Sequence, residues 1–223
     1  TLKEIDTTLI DIAKVTNYTN DQMKELTQTA INAGQEFGRT AQEYLSAVTE
    51  FARAGMGKQS EEYAKLSLLL QNVGDVTAEM ANETLLAANA GFQLGGSYEK
   101  LMEVIDKFNN ISNLNATNIN KLSEAMKVGA SVFNAAGMSL DETIAIIGTA
   151  TASTQRAGSE ISRAWRTILM NIRQVSDEEA EVTEESMKKA EKALSSIGIV
   201  VRDSPSTFRP MFEIIRDLGT VWN

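Results

Sequence analysis

The chain has 223 residues, 43% of them apolar, a formal net charge of −9, no histidine and no cysteine. Without thiols or imidazoles there is no disulfide framework, no structural zinc site and no Ser-His or Cys-His nucleophile, so any enzyme chemistry would rest on Lys, Tyr or carboxylates alone. The acidic balance, with a pI near 4.7, opposes binding to duplex nucleic acid, which needs a basic surface to release counterions.

The expectation is therefore a non-enzyme with no catalytic, cofactor-binding or metal-binding residues and no specific nucleic-acid binding. No apolar run approaches the roughly 18 residues of a membrane span, and the opening TLKEIDTTLI lacks a basic-then-apolar signal organisation. The chain starts without Met and reads as a piece of something longer.

Only two prolines occur, Pro205 and Pro210, so no proline before position 205 forbids helix. In chain order, apolar periodicity and break residues predict helices near 2–15, 21–35, 40–54, 60–73, 77–90, 97–111, 117–136, 139–154, 159–175, 178–196 and 210–222. Short loops make neighbouring helices antiparallel. The expected fold class is all-α: a multi-helix bundle of antiparallel helical hairpins with short loops and no long continuous coiled coil, because the apolar pattern never settles into a sustained heptad. Three divisions are expected: N-terminal helices over 1–36, a core helical-hairpin domain over 37–175, and 176–223 as a charged helix, a short extended segment and a C-terminal amphipathic helix.

Ser or Thr recurs just after the breaks, at Ser60, Thr77, Ser97, Thr117, Ser139, Ser159 and Ser176. Ser139 with Glu142 and Ser176 with Glu179 fit the capping box, in which hydroxyl and carboxylate each satisfy an orphan backbone N–H. In FNAAGMSLDE, Gly137 is expected to close one helix in the left-handed conformation and Ser139 to open the next. FARAGMGKQSEE resembles this joint 82 residues earlier, with Phe51 matching Phe133, Gly55 matching Gly137 and Thr77 matching Ser159. The echo reads either as a weak duplication of a three-helix unit or as a coincidence of alanine-rich composition. GFQLGGS, which starts at Gly91, lacks the preceding strand and the spacing of a phosphate cradle and reads as a loop.

The segment from Val128 to Gln155 carries only two charges, Asp141 and Glu142, at the tip of a predicted hairpin. Its arms are too short to cross about 30 Å of hydrocarbon, so it reads as buried core. In SEISRAWRTILMNIRQV the apolar Ile161, Trp165, Ile168, Leu169, Ile172 and Val175 recur every three or four residues, as on one helix face. Arg156, Arg163, Arg166 and Arg173 fall on the other side and are the candidate partner face, able to meet DNA or another acidic surface. The competing reading is intrachain: SDEEAEVTEE carries six acids between Asp177 and Glu185 that could fold back on the row. Beyond them, GIVVRD is expected to be extended, with Pro205 and Pro210 framing a turn before a last helix whose apolar side is Phe208, Met211, Phe212, Ile215, Leu218 and Trp222.

From Leu26 to Trp222 the order of motifs, INAGQEFGRTAQEYLSAVTEFARAG, SEEYAKLSLLLQNVGDVTAEMANETLLAA, LDETIAIIGTATAST, AGSEI with RTIL, and a tail of GI, V, RDS, FRP, DL and W, resembles the tail tape-measure proteins of long-tailed bacteriophages. The likeness is to the core region found in phages and prophages of Gram-positive bacteria. Trp165 departs from it, standing where a smaller aliphatic residue is expected. The resemblance implies a virion protein that lies in the tail lumen after assembly in the host cytoplasm, sets tail length and takes part in genome ejection. Implied partners are the tail tube protein, tail-tip or baseplate proteins, tail assembly chaperones and further copies of the chain. A straight helical rod of this length would reach about 330 Å. A hairpinned bundle reaches far less, so this segment is expected to be a compact module attached to the ruler. The alternative is a membrane-active helical module inserted into the host envelope during DNA ejection.

Overall fold

The computed structural model describes residues 2–173, 184–204 and 207–221, with the side chains of 2–4, 58, 173 and 184–188 left aside. It is 79% helical. In chain order the elements are α1 (Leu2–Val15), α2 (Asn20–Phe37), α3 (Ala41–Arg53), a 3-10 turn (Gly57–Gln59), α4 (Ser60–Gly74), α5 (Ala78–Gly91), α6 (Tyr98–Leu114), α7 (Ile119–Ala135), α8 (Leu140–Thr154), α9 (Gly158–Arg173), α10 (Glu184–Ser196), β1 (Arg202–Ser204), β2 (Thr207–Phe208) and α11 (Met211–Val221). The all-α class stands, with one two-stranded ribbon added.

Hydroxyl and amide caps start most of these helices. Thr19 with Gln22, Thr40 with Glu43 and Ser139 with Glu142 form complete capping boxes, and Thr77, Ser97 and Asn118 each accept one N–H. Several expected caps differ. Ser60 already lies in the first turn of α4 and donates to the Gly57 carbonyl at 2.8 Å, because the preceding 3-10 turn leads straight into the helix. Asn118 replaces Thr117, whose hydroxyl instead lies 2.8 Å from that of Thr151. Ser176 and Glu179 lie outside the described residues.

Five helices close in one way. At the joint after α3, Met56 N–H donates to the Phe51 carbonyl at 3.0 Å with Gly55 at φ 84°; after α7, Met138 donates to Phe133 at 3.0 Å with Gly137 at φ 73°. The same six-to-one bond over a left-handed residue joins Arg39 to Gly34, Leu94 to Asn89 and Ile199 to Leu194. It satisfies carbonyls that the helix end leaves orphaned and turns the chain back sharply. Gln93, at φ 52°, takes the left-handed position after α5 without being glycine.

The turned-back helices share one hydrophobic core running from Ile12 to Ile214, with Tyr44, Phe51, Tyr63, Phe108 and Phe133 as its largest fully buried side chains. Phe51 and Tyr63 meet with ring centroids 5.7 Å apart. In the first half α3 is the hub, packed by α1, α2, α4 and α5; in the second half α7 takes that place, packed by α4, α5, α6, α8 and α9. The low-charge 128–155 stretch lines this core with Phe133, Ile144, Ile147 and Thr151.

At the C-terminal end β1 pairs antiparallel with β2, and the Arg202 guanidinium sits 3.8 Å from the centre of the Phe208 ring. Of GIVVRD, expected to be extended, only Arg202 and Asp203 enter the ribbon; Ile199 and Val201 precede it and are buried. In α11 the fully buried residues are Met211 and Ile214, while Phe212, Ile215 and Leu218 are partly buried. The face is rotated from the one expected, and Ile214, absent from the sequence reading, is part of its centre. Trp222 and the turn holding Pro205 lie outside the described residues.

Candidate partner face

The arginine row is positioned by the way α9 lies on α7. Small residues set that contact. A Cβ placed on Gly158 would run into the Lys121 carbonyl and come within 2.8 Å of the Ala125 nitrogen, so the two backbones touch. One turn along, the buried Ser162 hydroxyl donates to the Ala125 carbonyl at 2.6 Å, and Gly129 makes room beside it. The start of α9 is capped from outside: Glu124 of α7 accepts the Gly158 N–H at 3.1 Å. Lys121 reaches across to the Gln155 carbonyl at 3.2 Å, which fixes the turn before α9.

The buried stripe of α9 therefore includes Ser162 and Met170 alongside Ile161, Leu169 and Ile172. Ile168, expected within the stripe, is 41% exposed, and Trp165 is partly buried. The reason is steric, since backbone contact at Gly158 and Ser162 turns the helix so that small residues face α7. Val175 lies outside the described residues.

Three of the four arginines expected to form a row, Arg163, Arg166 and Arg173, lie in α9, and Arg156 precedes it. Arg156 is exposed just ahead of α9 and pairs with Glu160 of the same helix at 3.3 Å. Arg163 is exposed, whereas Arg166, one residue beyond Trp165, is half-buried. Arg173 ends α9, and the acidic run expected to fold back on the row lies outside the described residues, apart from the backbone of Glu184 and Glu185 at the start of α10. An exposed pair such as Arg156–Glu160 is worth less than about 1 kcal/mol, so it leaves the guanidinium available for exchange with a partner's anion.

Beside the row runs an apolar groove of about 360 Å³ lined by Ala145, Ile146, Thr149, Trp165, Phe212 and Ile215. Trp165 is the one residue of α9 in this lining. Near one end of α8, Lys107 of α6 is held between Glu103, at 2.5 Å, and Asp141. Burial works to lower the Lys107 pKa, but hydrogen bonds and charge from Asp141 and Glu103 outweigh it and hold the ammonium above its usual range. Lys127 pairs with Glu83 and ties α7 to α5 in the same manner.

Among the described residues no group of acidic side chains is arranged to hold a metal ion, and no helix is long and apolar enough to cross a membrane. The residues missed in the sequence are Glu124, Gly158 and Ser162. Their signal was the four-residue spacing of small side chains, Ala125 to Gly129 on one helix and Gly158 to Ser162 on the other. Only the pairing of those two helices turns the spacing into a contact.

The class of protein to which this helical scaffold belongs follows from its likeness to known proteins. Residues 27–222 match the family described as phage-related minor tail protein, and the chain belongs to that family. It is also 25% identical over 198 residues to the "Probable tape measure protein" of Escherichia phage P2, an alignment spanning 88% of this chain and 23% of that protein. No solved structure matches. A phage tail protein is a component of the virion.

Proposed function

We propose that the chain is the folded core segment of a tape-measure protein, acting in tail-length determination and genome delivery as a structural, non-enzymatic component. The observation that carries this reading is the family match over nearly the whole chain, joined to a relative named as a tape measure. Since the chain spans only 23% of that relative, the helical hairpins described above are the module and the ruler lies in the rest of the protein. The partners that fit are the tail tube protein, tip or baseplate proteins and assembly chaperones, with the protein made in the host cytoplasm and housed in the tail lumen. Arg156, Arg163, Arg166 and Arg173 are the face offered to an acidic partner. The order of the sequence motifs supports a phage of a Gram-positive host, and the relative from an Escherichia phage shows that the likeness reaches beyond such hosts.

The test is an in-frame deletion in the helical region of the full gene outside residues 1–223, with tail length measured by electron microscopy. Tails that shorten in proportion to the deletion are expected; tails of unchanged length would refute the ruler assignment. The membrane-active alternative predicts dye leakage from liposomes on adding the chain, and the burial of Phe133, Ile144 and Ile147 argues for no leakage.

A further inference from the structure

The joint between α7 and α8 has a property that a hairpin does not require. Five of the buried positions of α7 recur in α8 after 18 residues: Ala125 and Thr143, Met126 and Ile144, Gly129 and Ile147, Ala130 and Gly148, Phe133 and Thr151. Eighteen residues are about five whole turns of an α-helix, so the two buried faces are in phase. Drawn as one helix through the joint, Ile119 to Thr154 would carry a single apolar stripe, with Lys121, Glu124, Lys127 and Glu142 off it and Asp141 at its edge, in register with the buried Ser123. The joint after α3 is set differently. All seven buried positions of α3 recur in α4 after 19 residues, Tyr44 and Tyr63, Val48 and Ser67, and Phe51 and Leu70 among them, against four after 18, so the best-matched faces lie about 100° apart.

Little in the covalent chain bends α7 away from α8. No proline lies between Ile119 and Thr154. The bend rests on Gly137 in the left-handed conformation and on the capping box of Ser139 with Glu142. Side-chain ties then hold the arms together: Lys121 on the Gln155 carbonyl at 3.2 Å, Gln155 on the Ala116 carbonyl at 2.5 Å, and Thr117 beside Thr151 at 2.8 Å, while Lys107 of α6 pairs with Asp141 at the tip.

We propose that α7 and α8 are two halves of one amphipathic helix, Ile119 to Thr154, held folded by the Gly137 joint, and that this joint is a conformational switch between hairpin and straight helix. Straightening replaces the glycine turn and the capping box with ordinary helical hydrogen bonds, and leaves the apolar stripe continuous for reburial as a unit. The element grows from the roughly 26 Å of α7 to about 54 Å without breaking a helix. The proposal concerns the chain in solution and does not rest on a role in the tail, so its failure leaves the tape-measure reading to be decided by tail length.

The chain has no cysteine, so Asn120→Cys and Thr154→Cys give two clean spin-label sites. In the hairpin these sites flank the Lys121–Gln155 contact, and packed helices put the labels within about 20 Å of each other. In the straight helix, 34 residues separate them, or about 51 Å. Pulsed electron resonance is recorded with the native joint and with Gly137→Ala plus Ser139→Ala. The long-distance population is expected to rise about ten- to thirty-fold in the altered joint. A folded variant that shows only the short distance overturns the proposal, and so does a broad distribution with no peak near the long one, since that means α8 has melted. If the double variant loses its helical circular dichroism, Ser139→Ala alone is read by the same criteria.

Discussion

Gly158→Ala is the most exacting test of the packing. At this position the added methyl would meet the Lys121 carbonyl and lie within 2.8 Å of the Ala125 nitrogen. Both belong to the backbone of α7, where no side chain can swing aside, so the helices must separate. Overpacking of this kind costs about 1–3 kcal/mol. Separation also stretches the buried hydrogen bond from Ser162 to Ala125, 2.6 Å long, worth about 1 kcal/mol. The combined loss is about 2–4 kcal/mol, and at roughly 2–4 °C per kcal/mol for a chain of this size the melting temperature should fall by about 5–15 °C. Thermal unfolding followed by circular dichroism reads the shift. Gly219→Ala is the control, since a Cβ there meets nothing within 4 Å, and should change stability by no more than about 1 kcal/mol, in the stabilising direction. A Gly158→Ala protein melting within about 2 °C of the parent would show that α7 and α9 do not touch through their backbones.

Three further outcomes follow from other contacts. Phe133→Ala removes a ring that is 1% exposed and should cost about 3–5 kcal/mol in denaturant unfolding, whereas Ile168→Ala, at a position 41% exposed, should stay within about 0.5 kcal/mol. Thr40→Ala breaks the capping box that opens α3 and should cost about 1 kcal/mol near neutral pH. Burial tends to raise the Glu43 pKa, but the Thr40 hydrogen bonds and Arg39 outweigh it and leave it below its ordinary 4.5; such a group stabilises the fold above that pH and ceases to as pH falls through it, so the gap between Thr40→Ala and the parent should narrow in acid. Burial, reinforced by the charge of Glu61, pushes the Tyr44 phenol well above its ordinary 10.0. A raised pKa means stability that is complete below pH 10 and lost as pH rises beyond it; Tyr44→Phe should therefore flatten the alkaline limb of a stability-pH curve, and a parallel limb would refute the assignment.

The helices were legible in the sequence because their signals are local. A glycine four residues after Phe133 and a serine-glutamate pair three apart specify the α7 to α8 joint wherever they occur. The rotation of α9 was not legible in this way. Its apolar periodicity admits two neighbouring faces, and the choice between them is made by Gly158 and Ser162 meeting a helix more than thirty residues earlier. The same holds for the cap of α9, which comes from Glu124, whereas Ser159, the hydroxyl expected to open the helix, already lies inside it. In α11, Phe212 and Ile215 share the same three-residue spacing as Met211 and Ile214, and only docking on the body selects Met211 and Ile214 as the fully buried pair. The arginines were easy to find, but their surroundings depend on that rotation.

The closely turned joints also govern how the molecule would respond to force. Where consecutive helices pack on each other, as α2 with α3 and α3 with α4 do, tension along the polypeptide loads the pair at its open end and peels it apart contact by contact. Shear would have to break a whole seam at once. Peeling proceeds through separate local openings, each with its own modest free energy. A pulled molecule should therefore lengthen in a staircase of small, low-force steps, and refold by the same steps when released.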